Sequence, residues 1–195
     1  NADLAYHQSD EISLLFNAID EDSETQRTFS GKKQKLCSIL AGQATAIFLV
    51  EMLKHKPDMS SYIINSLPHF DCRGFNLPTD IESANCMIWR SQDASRNAIS
   101  MIASSLFSHK QLDGKSTFER LEMIKENSDY FSENDSLDKD LKYGAFFVKE
   151  PEERNGVLRS SIVKHVIERP TFIEILNMAG IKKEIEQTKT QSPGF

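Results

Sequence analysis

Four consecutive residues, Gln8-Ser9-Asp10-Glu11, set two acids side by side at what reads as the tip of a β-hairpin, where a plain turn would favour Asn-Gly. Neighbouring strand residues face opposite ways, so only one carboxylate of the pair can point at a given site. That suits magnesium, which takes one or two protein carboxylates together with the phosphates of a substrate. Two acids in a turn are also what a solvated loop carries, so the chemical reading needs support elsewhere in the chain. Residues 89–97 offer it: Trp89-Arg90-Ser91-Gln92-Asp93-Ala94-Ser95-Arg96-Asn97 concentrates polar groups in two turns of a helix. At 100° per residue Arg90, Asp93 and Asn97 fall within about 60° of one another beside the apolar arc, while Trp89 and Arg96 share another face. A planar guanidinium and an amide at a core edge suit phosphate and base recognition. The plainer alternative is an Arg90–Asp93 pair at i, i+3 on a wet helix.

Other chemistries find less footing. Gly114-Lys115-Ser116 lacks the earlier glycine of a phosphate-binding loop, since His109 stands there, and a helix precedes it where that motif needs a strand. The five histidines are dispersed with no H-x-x-x-H pair, and Cys37, Cys72 and Cys86 include no C-x-x-C, so neither a zinc knuckle nor a disulfide framework is suggested. No elbow motif presents a nucleophilic Ser or Cys, and Cys37 inside an apolar helix reads as core.

The elements that must position these residues are legible in outline. Residues 2–6 and 12–16 read as strands joined across residues 7–11. Ser30 can cap a helix whose apolar positions Leu36, Ile39, Leu40, Ile47 and Phe48 carry it to about Leu53, ahead of Pro57. A short strand is expected over residues 70–77, ended by Pro78. Thr79 and Glu82 form a capping box before a long helix with Ala84, Met87, Ile88, Ala94, Ala98, Met101, Ile102 and Leu106 on one face. Ser116 and Glu119 repeat the box before a short helix, and residues 126–142 read as loop. Residues 143–149 and 159–167 are strand-like around the turn signal Asn155-Gly156, and a helix over residues 171–178 precedes a frayed tail from residue 184. Hairpin, helix, strand, helix, hairpin predicts an α+β fold with helices on a mostly antiparallel sheet.

With 195 residues, 39% hydrophobic and 27% charged, the chain fits one globular domain with or without a C-terminal appendage. Polar residues interrupt its apolar stretches short of the roughly 18 needed for a membrane span, and no signal-peptide pattern opens it, which predicts an intracellular, cytoplasmic protein. A net charge of -6 argues against a generally basic nucleic-acid coat but leaves room for a local basic groove. Residues 1–26 hold seven acids and no Lys or Arg, after which Arg27, Lys32, Lys33 and Lys35 arrive together. That contrast suits a cation site beside an anion site, or simply a solvated loop followed by a solvated helix start.

In order and spacing, Tyr6-His7-Gln8-Ser9-Asp10-Glu11-Ile12-Ser13, Phe70-Asp71-Cys72-Arg73 and the stretch from Trp89-Arg90 to Asp93-Ala94-Ser95-Arg96-Asn97 resemble the tRNA-His guanylyltransferase superfamily. The resemblance covers roughly residues 3–148. Ser95-Arg96-Asn97-Ala98, where eukaryotic members have His-Ile-Asn-Asn, is similar to the bacterial and phage guanylyltransferase-like branch. The resemblance implies a polymerase-palm-like (ferredoxin-like) catalytic domain over residues 1–149 with a C-terminal extension over 150–195. It implies addition of nucleotides to the 5′ end of tRNA in the 3′-to-5′ direction, using GTP or ATP and two magnesium ions. It makes Asp10 a metal ligand within the Ser9-Asp10-Glu11 motif and Glu11 its functionally required neighbour. Lys32 and Lys35 with Ser38 correspond to a lysine-bearing helix start that contacts triphosphate or tRNA phosphate. Arg90, Asp93, Arg96 and Asn97 belong to the nucleotide site, and Arg120 falls near a later family lysine. Family members suggest a homo-oligomer, a tetramer.

The chain departs from the family in lacking the Asp-Gly-Arg-Gly-Phe strand that lies upstream of the hairpin and binds metal. Residues 70–75 look like it, but their place after the first helix matches a separate, structural Phe-Asp-x-Arg segment. A missing N-terminal piece, a second chain supplying it, or an inactive chain would each account for the difference. The rival to an enzyme is therefore a binding module, the C-terminal part of a split enzyme that grips tRNA or completes an oligomer. A nucleotide cyclase or other palm relative is disfavoured by the 89–97 helix.

Overall fold

Strand β1 (Leu4–Gln8) turns through Ser9 and Asp10 into β2 (Glu11–Leu15) and pairs with it antiparallel from Leu4↔Leu15 to Gln8↔Glu11. The strands run closer to the turn than the expected 2–6 and 12–16, leaving a two-residue connection. The computed structural model describes residues 2–17, 28–127 and 138–181. The acidic stretch up to Gln26, part of the 126–142 loop and the tail from residue 184 lie wholly or mainly outside them. The chain divides into two compact units, Asn1–Asn17 with Leu77–Phe195, and Ala18–Asn76.

In the second unit, α1 (Lys33–His55) is longer than expected, and Ser30 does not cap it. Ser30 sits instead in a 3-10 turn, Thr28–Gly31, where Phe29 and Ser30 both have positive φ, and Lys32 occupies the N-cap without a side-chain bond. A short helix, α2 (Ser60–Ser66), follows and buries Ile63. The strand expected at residues 70–77 is absent. That segment has no ladder partner, and its Phe70 N–H instead donates to Thr45 Oγ1 at 2.9 Å. α1 also overturns the expectation about apolar length: an 18-residue window of mean hydropathy 1.8 is long and apolar enough to cross a membrane by length and composition. Its central interruptions, Gly42, Gln43 and Thr45, carry no charge, Glu51 near its end does, and none of the helix is buried.

The first unit is an antiparallel sheet of order β2-β1-β3-β4 with helices packed on it, the predicted α+β, palm-like class. α3 (Asp80–Leu106) starts at Thr79, whose Oγ1 accepts from the Glu82 N–H at 3.2 Å. It buries Ala84, Met87, Ala94, Ala98 and Ile102 as its periodicity predicts, but Met101 and Leu106 are exposed. After α4 (His109–Leu112) comes α5 (Thr117–Asn127), with Ser116 and Glu119 forming the expected reciprocal box. A one-turn helix, α6 (Lys139–Tyr143), leads into β3 (Ala145–Arg154) and β4 (Val157–His165), joined at Asn155-Gly156 with both φ positive, the geometry of a primed hairpin turn. β3 runs continuously through residues 149 and 150. It pairs with β1 only as far as Val148, so Pro151 costs the sheet no bond to β1. α7 (Phe172–Met178) lies where a helix is expected, and it begins with a Thr171–Glu174 capping box that the sequence reading did not name. The core gathers Leu4, Tyr6, Leu15, Phe146 and Val148 of the sheet against Ala84, Met87, Ala94, Ile175 and Leu176.

Candidate active site

Strand alternation turns Tyr6 and Gln8 of β1 to the same side of the sheet, toward α3. Gln8 is only 4% exposed and spends its Nε2 donor on the Ala94 carbonyl at 3.3 Å, fixing the end of the strand to the middle of α3. The Tyr6 hydroxyl donates to the Tyr143 carbonyl at 2.8 Å, and burial pushes its phenol well above the usual range. The tip that follows is thereby held over the polar turns of α3.

Ser9 takes φ = 56° as the first residue of the turn, a position that glycine fills at no steric cost. Its hydroxyl contacts Met101 Sδ at 2.9 Å and Asp10 Oδ1 at 3.2 Å. Glu11 does not point at a common site with Asp10. It accepts from Arg90 Nη1 at 2.9 Å, a bond that ties hairpin to helix. The simple Arg90–Asp93 pair is thus not what forms. Asp93 instead accepts from Arg96 Nη2 at 2.7 Å and from Asn97 Nδ2 at 3.1 Å, one oxygen to each.

Two adjoining hollows result. Tyr6, Gln8, Glu11, Ser13, Arg90, Asp93 and Asn97 line the inner one. Gln8, Ser9, Asp10, Glu11, Asn97, Ser100 and Met101 line an open cleft of about 350 Å³, within the range of small-molecule sites. Of the predicted residues, Ser9, Asp10, Glu11, Arg90, Asp93 and Asn97 line these hollows, with Arg96 one bond behind. Arg120 stands at the edge: its guanidinium donates to the Lys115 and Leu112 carbonyls and, at 3.4 Å, to Ser100 Oγ. Lys32, Lys35 and Ser38 belong to the other unit, where Lys35 lies over the Phe29 ring and Ser38 bonds back to the Gln34 carbonyl. The lining residues outside the predicted site, Tyr6, Gln8, Ser13, Ser100 and Met101, follow from period two along β1 and β2 and from one further turn beyond Asn97 along α3.

Among the described residues no group of three metal-ligating side chains comes together. Asp10 has no ion-pair partner there, whereas Glu11 is engaged by Arg90. The donor set fits one carboxylate toward an ion shared with substrate phosphates, and does not fit a two-magnesium centre.

A sheet-tip carboxylate thus faces an Arg/Asp/Asn helix across a cleft on a palm-like fold. A family profile described as tRNAHis guanylyltransferase matches residues 1–78. A solved bacterial tRNA(His) guanylyltransferase (Thg1)-like protein in complex with ATP is 34% identical, with a TM-score of 0.64 over 92% of this chain and 70% of that one. A structure of such a bacterial protein in complex with GTP is also 34% identical, with a TM-score of 0.56 over 95% of this chain and 68% of that one. No curated protein matches significantly. The chain belongs to the tRNA-His guanylyltransferase superfamily, in its Thg1-like branch.

Proposed function

We propose that the chain is a nucleotidyltransferase that binds ATP or GTP in the Asp10–Asn97 cleft and adds nucleotides to the 5′ end of tRNA, in the 3′-to-5′ direction and in the cytoplasm. The observation that carries this reading is the convergence of the Ser9-Asp10-Glu11 tip with Arg90, Asp93 and Asn97 around two adjoining hollows, in a chain whose solved relatives hold ATP and GTP. Phosphoryl chemistry asks a protein mainly for positioning and charge neutralisation. Asn97, steadied by Asp93, offers its remaining amide capacity to the nucleotide, and Arg96 brings a cation to the same turn. Arg90 orients the tip through Glu11. A magnesium ion bound at Asp10 would supply neutralisation of triphosphate charge. Lys32, Lys35 and Ser38 are read as phosphate contacts and tRNA as the polymer substrate, with a homo-oligomer, a tetramer, as the assembly.

Among the described residues Asp10 is the one carboxylate at the cleft without an ion-pair partner, which favours a second reading, a tRNA-gripping or oligomer-completing part without catalysis of its own. One experiment separates them: the protein and its Asp10→Ala variant are incubated with 5′-truncated tRNA, labelled nucleotide and magnesium. Label incorporated by the wild type and lost in Asp10→Ala, with an unchanged melt, supports the enzyme. Binding of tRNA without incorporation supports the second reading.

A further inference from the structure

Cys37 and Cys72 lie far apart in sequence but meet within the second unit. Cys37 is on the first turns of α1, and residues 70–74 run antiparallel to that helix as an extended strap. Phe70 is tied at one end by its N–H bond to Thr45 and by an edge-on contact with Phe48, with ring centroids 5.6 Å apart. Gly74 closes the other end, so near that a side-chain carbon there would stand 3.2 Å from Cys37 Sγ. Between these two fastenings Cys72 lies beside Cys37, near enough for a charge on one sulfur to raise the other thiol, and both are free and half-buried. Cys86, the remaining thiol, is on α3 in the first unit.

We propose that Cys37 and Cys72 form a peroxide-sensitive dithiol that closes to an intramolecular disulfide, locking the strap onto the helix that carries Lys35 and Ser38. The co-reactant is a hydroperoxide. Cys37 sulfur attacks one peroxide oxygen, the O–O bond breaks, and the other oxygen departs with the thiol proton as water or alcohol, leaving a sulfenic acid on Cys37. Cys72 sulfur then attacks Cys37 sulfur, the S–O bond breaks, and hydroxide leaves with the Cys72 proton as water. Two thiols are oxidised by two electrons and one peroxide is reduced. Burial pushes the Cys72 thiol up, so it keeps its proton through the first step and serves as the resolving partner. A strap already fastened on both sides keeps the second sulfur next to the first, which makes resolution an intramolecular step.

The inference stands apart from the proposed function, and its test does not use activity. The full, reduced chain is treated with hydrogen peroxide, blocked with iodoacetamide and digested with trypsin without reductant. Trypsin separates the three cysteines onto peptides 36–54, 55–73 and 74–90, because Pro57 protects the bond after Lys56. Expected is a 36–54/55–73 cross-link two hydrogens lighter than the sum, reversed by dithiothreitol, with Cys86 still alkylated. In Cys72→Ser, dimedone should trap the sulfenic acid on Cys37, and in Cys37→Ser residue 72 should stay alkylatable. Cross-links to Cys86, cross-links that rise with protein concentration, or oxidation of Cys37 to sulfinic acid in the wild type without a cross-link would each overturn the proposal.

Discussion

Ser9 holds a conformation its side chain disfavours, and its hydroxyl lies at the mouth of the cleft against Met101 and Asp10. Ser9→Gly should relieve backbone strain of about 1 kcal/mol, raising the melting temperature, while weakening nucleotide binding. Calorimetry and nucleotide titration check the two halves. At Glu11 and Arg90 the opposite balance holds: both are substantially exposed, so breaking the pair should cost under about 1 kcal/mol of stability. Because the bond positions the tip, Glu11→Arg or Arg90→Glu should nevertheless reduce nucleotide affinity, and the double reversal should recover part of it. A double-mutant cycle on affinity measures that coupling, and strict additivity would show that the pair does not position Asp10. The clustering of Arg90, Asp93 and Asn97 was legible from helical spacing alone. Their partners were not, because Glu11 is 79 positions from Arg90 and periodicity says nothing about which of several acids an arginine selects.

Several elements with chemically specific ends were legible, but the Ser108–Gln111 box of α4 and the Asp138 cap of α6, which lies in the segment that reads as loop, were not. The Thr79, Ser116 and Thr171 starts all formed, since a hydroxyl followed three residues later by Glu satisfies helix N–H groups through local bonds alone. Glu119 illustrates the electrostatics: bonds from Ser116 and the nearby Lys115 lower its carboxyl to about 2. Its contribution is fully present above its unfolded value of about 4.5 and is lost as pH falls toward 2. The melting-temperature gap between wild type and Glu119→Ala should therefore narrow over that interval, with capping to the N–H groups removed by protonation. Ser30 misled because a positive φ at Phe29 and Ser30 takes the chain past the helix start before α1 begins. Residues 70–77 looked strand-like by composition, yet a strand exists only where another offers a ladder. Gly144 is the converse case, a demand the sequence does not announce: φ is +68°, and a Cβ would lie 2.5 Å from the His7 carbonyl oxygen. Gly144→Ala should destabilise by on the order of 2–4 kcal/mol, combining left-handed strain with displacement of β1, as chemical denaturation would show.

At the scale of the whole molecule, the α+β class was legible because alternation, capping and the Asn155-Gly156 turn each rest on short-range chemistry. The sheet order was not, since β1 selects β3 across the intervening chain and no local signal encodes that choice. Neither was the apolar circumference of α1, where uncharged interruptions passed for polar breaks. The pairing of Leu4 with Val148 also sets a timetable. On a ribosome adding about 5–20 residues per second, β1 emerges roughly 7–30 s before the strand that completes its far side. During that interval the 4–15 hairpin, marginal in water by itself, has one unpaired edge on β1, and Ala18–Asn76 is synthesised in between as a contiguous unit. Final assembly of the first unit is therefore post-poned to the emergence of residues 145–148, and a nascent chain arrested before them should leave the β1 amides open to hydrogen exchange that the finished sheet protects.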